Sequence, residues 1–290
     1  MLKMETMLKL DEFESVFKSA TKERFEFSVV PIQRVAVFTD LGPDEARLFG
    51  RDTGEFLSCL GEIELETVSG ERFSDVGSLL DVVEELRPDL IVSYRNLHGR
   101  ARNFPFSLGS HIDVLTQATS TPVLLLPAPT LEGRLDPSCR QIERVMVLTD
   151  HLTGSARLVN YGLALTPRGG KLVLAHLEDD TTFQRYIDVI SKIPSIDTDE
   201  AESSIKRQLL KEPQDYISSC REELLSQDQL DLEVVEEVRM GHHVEDCRAL
   251  VTTHGVELIV MNTKDDEQLA MHGLAYPLAV ELRDVPLLML

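Results

Sequence analysis

The heptapeptide RVAVFTD at residues 34–40 returns as RVMVLTD at 144–150, and an aspartate closes each copy. The match continues: TDLGPDEARLF (39–49) aligns with TDHLTGSARLV (149–159), sharing Thr39/Thr149, Asp40/Asp150, Ala46/Ala156, Arg47/Arg157 and Leu48/Leu158. A chain of 290 residues exceeds the usual size of one domain and has room for two cores. The repeat therefore predicts an internal duplication, two domains of one fold. In each copy a β-branched apolar run reads as a buried strand, then a turn, then a helix. Pro43, Asp44 and Glu45 start the first helix well. Thr153 is expected to cap the second, which stops at Pro167, Gly169 and Gly170.

Weaker matches set the order of elements. PDLIVSY (88–94) resembles VELIVMN (256–262), and TPVLLLP (121–127) resembles VPLLML (285–290), each after a helix-like segment. Before LIV the first copy has IELETVSG then SDVGSLLDVVEELR, and the second has LEVVEEVRMG then HVEDCRALVTTHG. Strands alternating with helices of this length predict right-handed βαβ units and a parallel sheet. The copies are 110 residues apart at the first strand and 168 apart at LIV, so the second holds 58 more. KLVLAHLE (171–178) reads as an added strand, with added helices over 181–192 and about 199–226. The expected organisation is a helical extension over 1–32, a first domain over 33–127 with about four strands, a linker over 128–141, and a second domain over 142–290 with five. In the extension, Leu10, Phe13, Phe17 and Ala20 have the spacing of an amphipathic helix that packs on a domain.

Charge narrows the partners. Fifty Asp and Glu against 29 Lys and Arg give a net charge of −21, which repels nucleic-acid backbones and anionic membranes at long range. Cys59, Cys139, Cys220 and Cys247 are scattered with no C-x-x-C pair, as in a reducing compartment. No run approaches eighteen apolar residues, and Glu5, Lys9, Asp11 and Glu12 interrupt any signal peptide. The expectation is a cytoplasmic protein that binds no nucleic acid and inserts in no membrane.

In an open doubly wound sheet, small ligands bind beyond the carboxyl ends of the strands, where strand order reverses. Asp40, Asp150 and the loops after LIV fall there. The first loop is SYRNLHGRARNFPFSLGSHIDVL (93–115). Gly99 and Gly109 let backbone N–H groups approach an anion, and Gly109-Ser110 opens a helix whose free N–H groups and dipole favour phosphate. Arg95, Arg100 and Arg102 add positive charge. A solvated basic loop with a helix cap is the other reading of these residues. In the second loop, MNTKDDEQLAMHGLAYPLAV (261–280), Leu274 follows Gly273, and Asp265, Asp266 and Glu267 outnumber Lys264. Each like charge beside a polyphosphate costs about 1 kcal/mol in water, so this loop is expected not to hold one. His151 and His176 are placed along the second crevice. His242, His243, Glu245 and Cys247 match no zinc spacing and read as a turn followed by a helix, so no metal site is predicted. Cys59 and Cys247 read as core residues.

At these residues the chain resembles the universal stress protein family in its tandem form, over about 33–127 and 142–290. Nucleotide-binding members end the first strand in aspartate and carry a loop G-x-x-G-(nine residues)-G-[ST]. Asp40, Gly99, Gly109 and Ser110 match at the right separations, and HGR (98–100) shares the family's wording. Asn96 replaces the first glycine, and the loop is two residues longer. The resemblance implies an α/β fold: two tandem doubly wound parallel-sheet domains, Rossmann-like and adenine-nucleotide alpha hydrolase-like, paired through PVLLL and PLLML as a pseudo-dimer. It implies ATP with Mg2+ in the first domain, with Gly99, Gly109, Ser110, Arg95, Arg100 and Arg102 on the phosphates and Asp40 lining the pocket. Family adenine contacts come from a second strand written H-V-x-D. The second copy has HLED (176–179), whereas the first is read as lacking that strand. The implied function is a non-enzymatic stress-response or regulatory protein that signals through an unknown protein partner, with a homo-dimer of the tandem chain also expected. Two alternatives stay open. One is a slow ATPase or adenylyl-transfer enzyme, for which no G-x-x-x-x-G-K-[ST], G-x-S-x-G or H-E-x-x-H motif is present. The other is a nucleotide-free scaffold docking through the acidic insertion 195–231.

Overall fold

The two copies of the repeat form strands of opposite halves of one sheet in a computed structural model of the chain, which describes residues 25–99, 106–149, 155–241, 243–263 and 275–290. The first domain runs β1 (Arg34–Phe38), α1 (Pro43–Phe56), β2 (Glu64–Val68), α2 (Val76–Leu86), β3 (Leu90–Tyr94), α3 (Ser110–Ala118) and β4 (Val123–Leu126). The second runs β5 (Arg144–Thr149), α4 (Ala156–Ala164), β6 (Gly170–Asp179), α5 (Asp180–Ile190), α6 (Thr198–Ser226), β7 (Leu232–Gly241), α7 (His243–His254), β8 (Leu258–Met261), α8 (Ala275–Glu281) and β9 (Leu287–Met289).

Local chemistry sets the helix starts. Pro43 opens α1, with Asp44 and Glu45 in its first turn. Asp75 and Ser78 exchange bonds as a capping box on α2. Ser155 caps α4 by accepting from the Leu158 N–H, in place of the expected Thr153, which lies outside the described residues.

The sheet order is β2-β1-β3-β4-β9-β8-β5-β6-β7. Every neighbouring pair is parallel except β4 and β9, which run antiparallel with Leu124 opposite Leu288. The last strands of the two domains thus pair as a pseudo-dimer within one chain, and the apolar sequences VLLL and LLM are buried instead of left as edges. A single apolar core cluster runs through both domains.

The pairing corrects one reading of the repeat. β2 lies beside β1 in the place that β6 takes beside β5. IELETVSG is therefore the counterpart of KLVLAHLE by position, not of LEVVEEVRMG, and the first domain keeps its second strand. What the second domain adds is α5, α6 and the edge strand β7. The letters misled because both segments precede a helix and LIV, while position is set by which strand reaches the neighbour of the first.

Two polar clasps hold the segments that flank the first domain. Asn160 of α4, 3% exposed, accepts from the Ser28 N–H at 3.1 Å and donates to the Glu26 carbonyl at 3.0 Å. The chain therefore crosses the second domain before it enters β1. In the linker, Arg134 makes two bonds of 2.5 and 2.8 Å to Asp52 of α1, and the Leu135 N–H donates to the same carboxylate.

The added helices divide at mid-length. α6 holds 29 residues, about 44 Å at 1.5 Å per residue. Tyr216, Ile217, Cys220 and Leu224 of its second half join the main core, whereas no residue before Pro213 is buried. Phe183 and Ile187, the buried residues of α5, lie outside that core, where α5 packs along α6. Among the described residues, no helix is long and apolar enough to cross a membrane.

Candidate functional site

Asp40 follows β1 after Thr39, at the carboxyl end of the sheet, as the repeat requires. Its carboxylate is already engaged. The Tyr94 hydroxyl donates to Oδ1 and in turn accepts from the Asp40 N–H at 3.0 Å, while the His98 N–H donates to Oδ2 at 3.0 Å. Burial, then the hydrogen bond to Asp40 and its negative charge, drive the Tyr94 phenol well above its usual pKa, so it stays protonated as the donor. The loop after β2 closes over the same point: a Cβ on Gly70 would sit 2.8 Å from the Asp40 backbone, so only glycine fits there. Further along that loop Phe73, 2% exposed, packs edge-on against Phe38, His98 and His111.

The loop after β3 turns back on itself. Asn96 has φ 63 and His98 φ 52, both left-handed. The Asn96 N–H donates to the Leu108 carbonyl at 2.7 Å, its side-chain amide to the Ser107 carbonyl at 3.2 Å, and the Gly99 N–H to the Asn96 carbonyl at 2.9 Å. Asparagine enters the left-handed region more readily than most residues, which explains why it can stand where the motif has glycine. Gly109, φ 86, caps α3 without any side-chain bond, and a Cβ on it would lie 2.8 Å from the Asn96 Cα. Its glycine is thus required by the fold of the loop as much as by any anion. Ser110 is exposed at the first helical position, and Asp113 already puts a carboxylate in the first turn. His111, 6% exposed, lies between Phe73 and His98, and burial first, then His98, lowers its pKa.

Arg95 is a correction. It was expected on phosphate, but its guanidinium is 9% exposed and donates to the Ala279 carbonyl through Nε (2.8 Å) and Nη2 (2.6 Å), and to the Leu282 carbonyl at 2.9 Å. These are the terminal carbonyls of α8, whose dipole favours a cation. Burial, with Arg283 nearby, lowers the Arg95 pKa to about 10. From the same loop the Phe106 ring receives Arg283 at 5.6 Å. Sequence spacing put Arg95 near the crevice but could not tell which domain its side chain faced. Arg100 and Arg102 lie outside the described residues. Arg72, which motif reading passed over, stands beside the mouth but pairs with Glu66 and Glu85 at 2.5 and 2.8 Å.

In the second domain Asp150, His151 and the loop over 264–274 also lie outside the described residues. Of HLED, His176 is fully buried with Nε2 3.1 Å from Glu178 Oε2, and Asp179 caps α5 by accepting from the Thr181 and Thr182 N–H groups. Thr263 holds the Leu290 carbonyl through its N–H (3.1 Å) and hydroxyl (2.7 Å), the place that Arg95 takes in the first domain. A cleft of about 380 Å³ opens between α5 and α6, with Phe183 and Met240 on its floor and Glu202 and Lys206 on its rim. No group of three or more His, Cys, Asp or Glu side chains is arranged to hold a metal among the described residues, and Cys247 is buried in the core.

No family model matches the chain, and no curated protein matches it in sequence. Solved structures do match in fold. A universal stress protein from Archaeoglobus fulgidus is 13% identical, with 90% of this chain and 97% of that one covered at a TM-score of 0.50. A protein of unknown function from Pseudomonas aeruginosa is 11% identical over 89% of this chain and 92% of its own, at a TM-score of 0.47. The chain resembles the universal stress proteins and has their α/β fold in tandem.

Proposed function

We propose that the protein is a non-enzymatic regulatory protein of the stress-response kind, which acts by binding another protein and not by holding ATP. The observation behind this reading is the state of Asp40: both carboxylate oxygens accept bonds from the chain itself, beside the ring of Phe73. A nucleotide would have to displace the His98 N–H and open the loop that Gly70 lays against Asp40, losing hydrogen bonds worth about 1 to 3 kcal/mol each when one partner is charged. Arg95, the first of the expected phosphate ligands, is committed to α8. The stress-response part of the reading comes from the fold shared with the Archaeoglobus protein.

A second reading, ATP with Mg2+ in the first domain, is favoured by one observation: Gly109 heads α3 with no side-chain cap, the arrangement in which helix N–H groups take an anion. Native mass spectrometry of the gently purified full chain separates the two. The first reading expects the bare mass of the chain. Co-purified adenine nucleotide would establish the second.

A further inference from the structure

His111 is a buried titratable group that the fold leaves without a partner. It is 6% exposed, and among the described residues neither Nδ1 nor Nε2 completes a hydrogen bond. His176 and His254, by contrast, are held by carboxylates, His176 by Glu178 at 3.1 Å and His254 by Glu237 at 2.9 Å. An orphaned polar ring under the surface lowers stability, so packing alone does not account for it. The Phe73 ring stands edge-on to it at 6.0 Å and the His98 ring tilts against it at 5.6 Å, with Phe73 and His98 themselves 4.9 Å apart. The three rings form a triangle in which only His98 is exposed.

Charged groups reach the triangle from three elements. Asp75, at the head of α2, and Asp40, after β1, are the acids that act on His111, and His98 is the second imidazole. Arg72, in the loop that carries Phe73, is paired with Glu66 and Glu85, and Asp113 of α3 falls about 200° around the helix from His111. The Leu97 carbonyl, Asp75 and Asp40 favour a charged His111, but burial and His98 outweigh them. The neutral ring fits the triangle; a protonated one would bring a full charge under the surface beside a second imidazole. The same segment closes the mouth. The His98 N–H donates to Asp40 at 3.0 Å, and Asn96 lies against Gly109, two residues before His111. Displacing His111 therefore acts on the loop that holds Asp40.

Resting on the reading above, in which the first mouth is bonded within itself, we infer that the triangle of Phe73, His98 and His111 is an acid-sensitive latch: proton uptake by His111 releases His98 from Asp40 while the sheet stays folded. At neutral pH the mouth is closed. In acid it presents the Asp40 carboxylate and the imidazole rings to solvent, a surface that the closed form does not have.

Hydrogen–deuterium exchange of the full chain at about pH 7.5 and pH 5.5, expressed as protection factors so that the intrinsic pH dependence of exchange is removed, tests this. One proton taken up by the open form alone, at an ordinary histidine value of about 6.5, limits the change between these two pH values to about tenfold. Peptides covering residues 94–99 are therefore expected to lose about three- to tenfold of their protection in acid, while β8 keeps its own. His111→Phe and His111→Gln both remove the proton site, one with a ring and one without, and each should hold the protection of 94–99 equal at the two pH values. His98→Asn, which suits the left-handed backbone, should shrink the acid loss. No loss in the natural chain, or a loss of the same size in both His111 variants, overturns the latch. So does an equal loss across β8, which makes the event global unfolding. These outcomes leave the nucleotide question standing, because that is read by mass spectrometry on the chain as purified and not by its response to acid.

Discussion

The two domains begin with the same seven letters and use the carboxyl end of their sheets differently. In the first, Tyr94, His98 and the loop carrying Gly70 converge on Asp40, and the loop after β3 spends Arg95 and Phe106 on the neighbouring domain. In the second, the material that departs from the repeat is a helical hairpin and an edge strand, with an exposed apolar stripe on α5. Duplication gives a chain two mouths; here the described part of the first is bonded within itself, and the second half carries added helices.

The comparison breaks first on the aromatic rings. Phe73 belongs to the main core and Phe183 does not, although both are buried. Phe73→Ala should cost about 3 to 4 kcal/mol, as such cavities do, and Phe183→Ala about half of that, because the hairpin can close around the gap. Urea unfolding measures both. Equal costs would mean the hairpin is part of the core and no separate arm.

Next in size are the two residues at equivalent positions after β3 and β8. Arg95→Leu should lose about 2 to 3 kcal/mol by stripping a charged donor from the α8 carbonyls, against about 1 kcal/mol for Thr263→Val. If Arg95→Leu is neutral in thermal unfolding, the clasp between domains is not what holds the loop.

A smaller effect is expected with pH. The folded pKa of His111 is lowered, by burial first and by His98 second, so the folded state favours the neutral ring. Its contribution is complete above the unfolded pKa of about 6.5 and is lost as pH falls from there through the folded value. The melting temperature should therefore decline between about pH 7 and pH 5, and His111→Phe should flatten that decline. An unchanged slope in the variant would place the titrating group elsewhere. Smallest of all, Val189→Glu on the exposed stripe should change stability by no more than about 0.5 kcal/mol.

Much of the fold was legible because buried parallel strands and capped helices write themselves in local letters. The repeated heptapeptide, the two LIV runs and the terminal VLLL and LLM gave the strands, since these need only apolar runs and their order, while the pseudo-dimer followed from the resemblance to the tandem family. Lateral position was not legible: nothing in IELETVSG says that it pairs with β1, because in a parallel sheet a strand's neighbour is chosen by the crossover and not by its own pattern. Direction was hidden as well. Arg95 was expected on phosphate for its charge beside the motif, but its side chain reaches α8. Asn96 looked like a defect in the motif; its φ of 63 shows the backbone role intact with the glycine gone. The exposed stripe of α5 could have been seen in Tyr186, Val189 and Ile193 at helical spacing, had the outer face been separated from Phe183 and Ile187.

The account turns on whether the first mouth is filled by its own side chains. Isothermal titration of the full chain with Mg-ATP, carried to millimolar ligand at pH 7.5, reads this directly. The account predicts no heat of binding. A saturating isotherm with a dissociation constant in the micromolar range would contradict it.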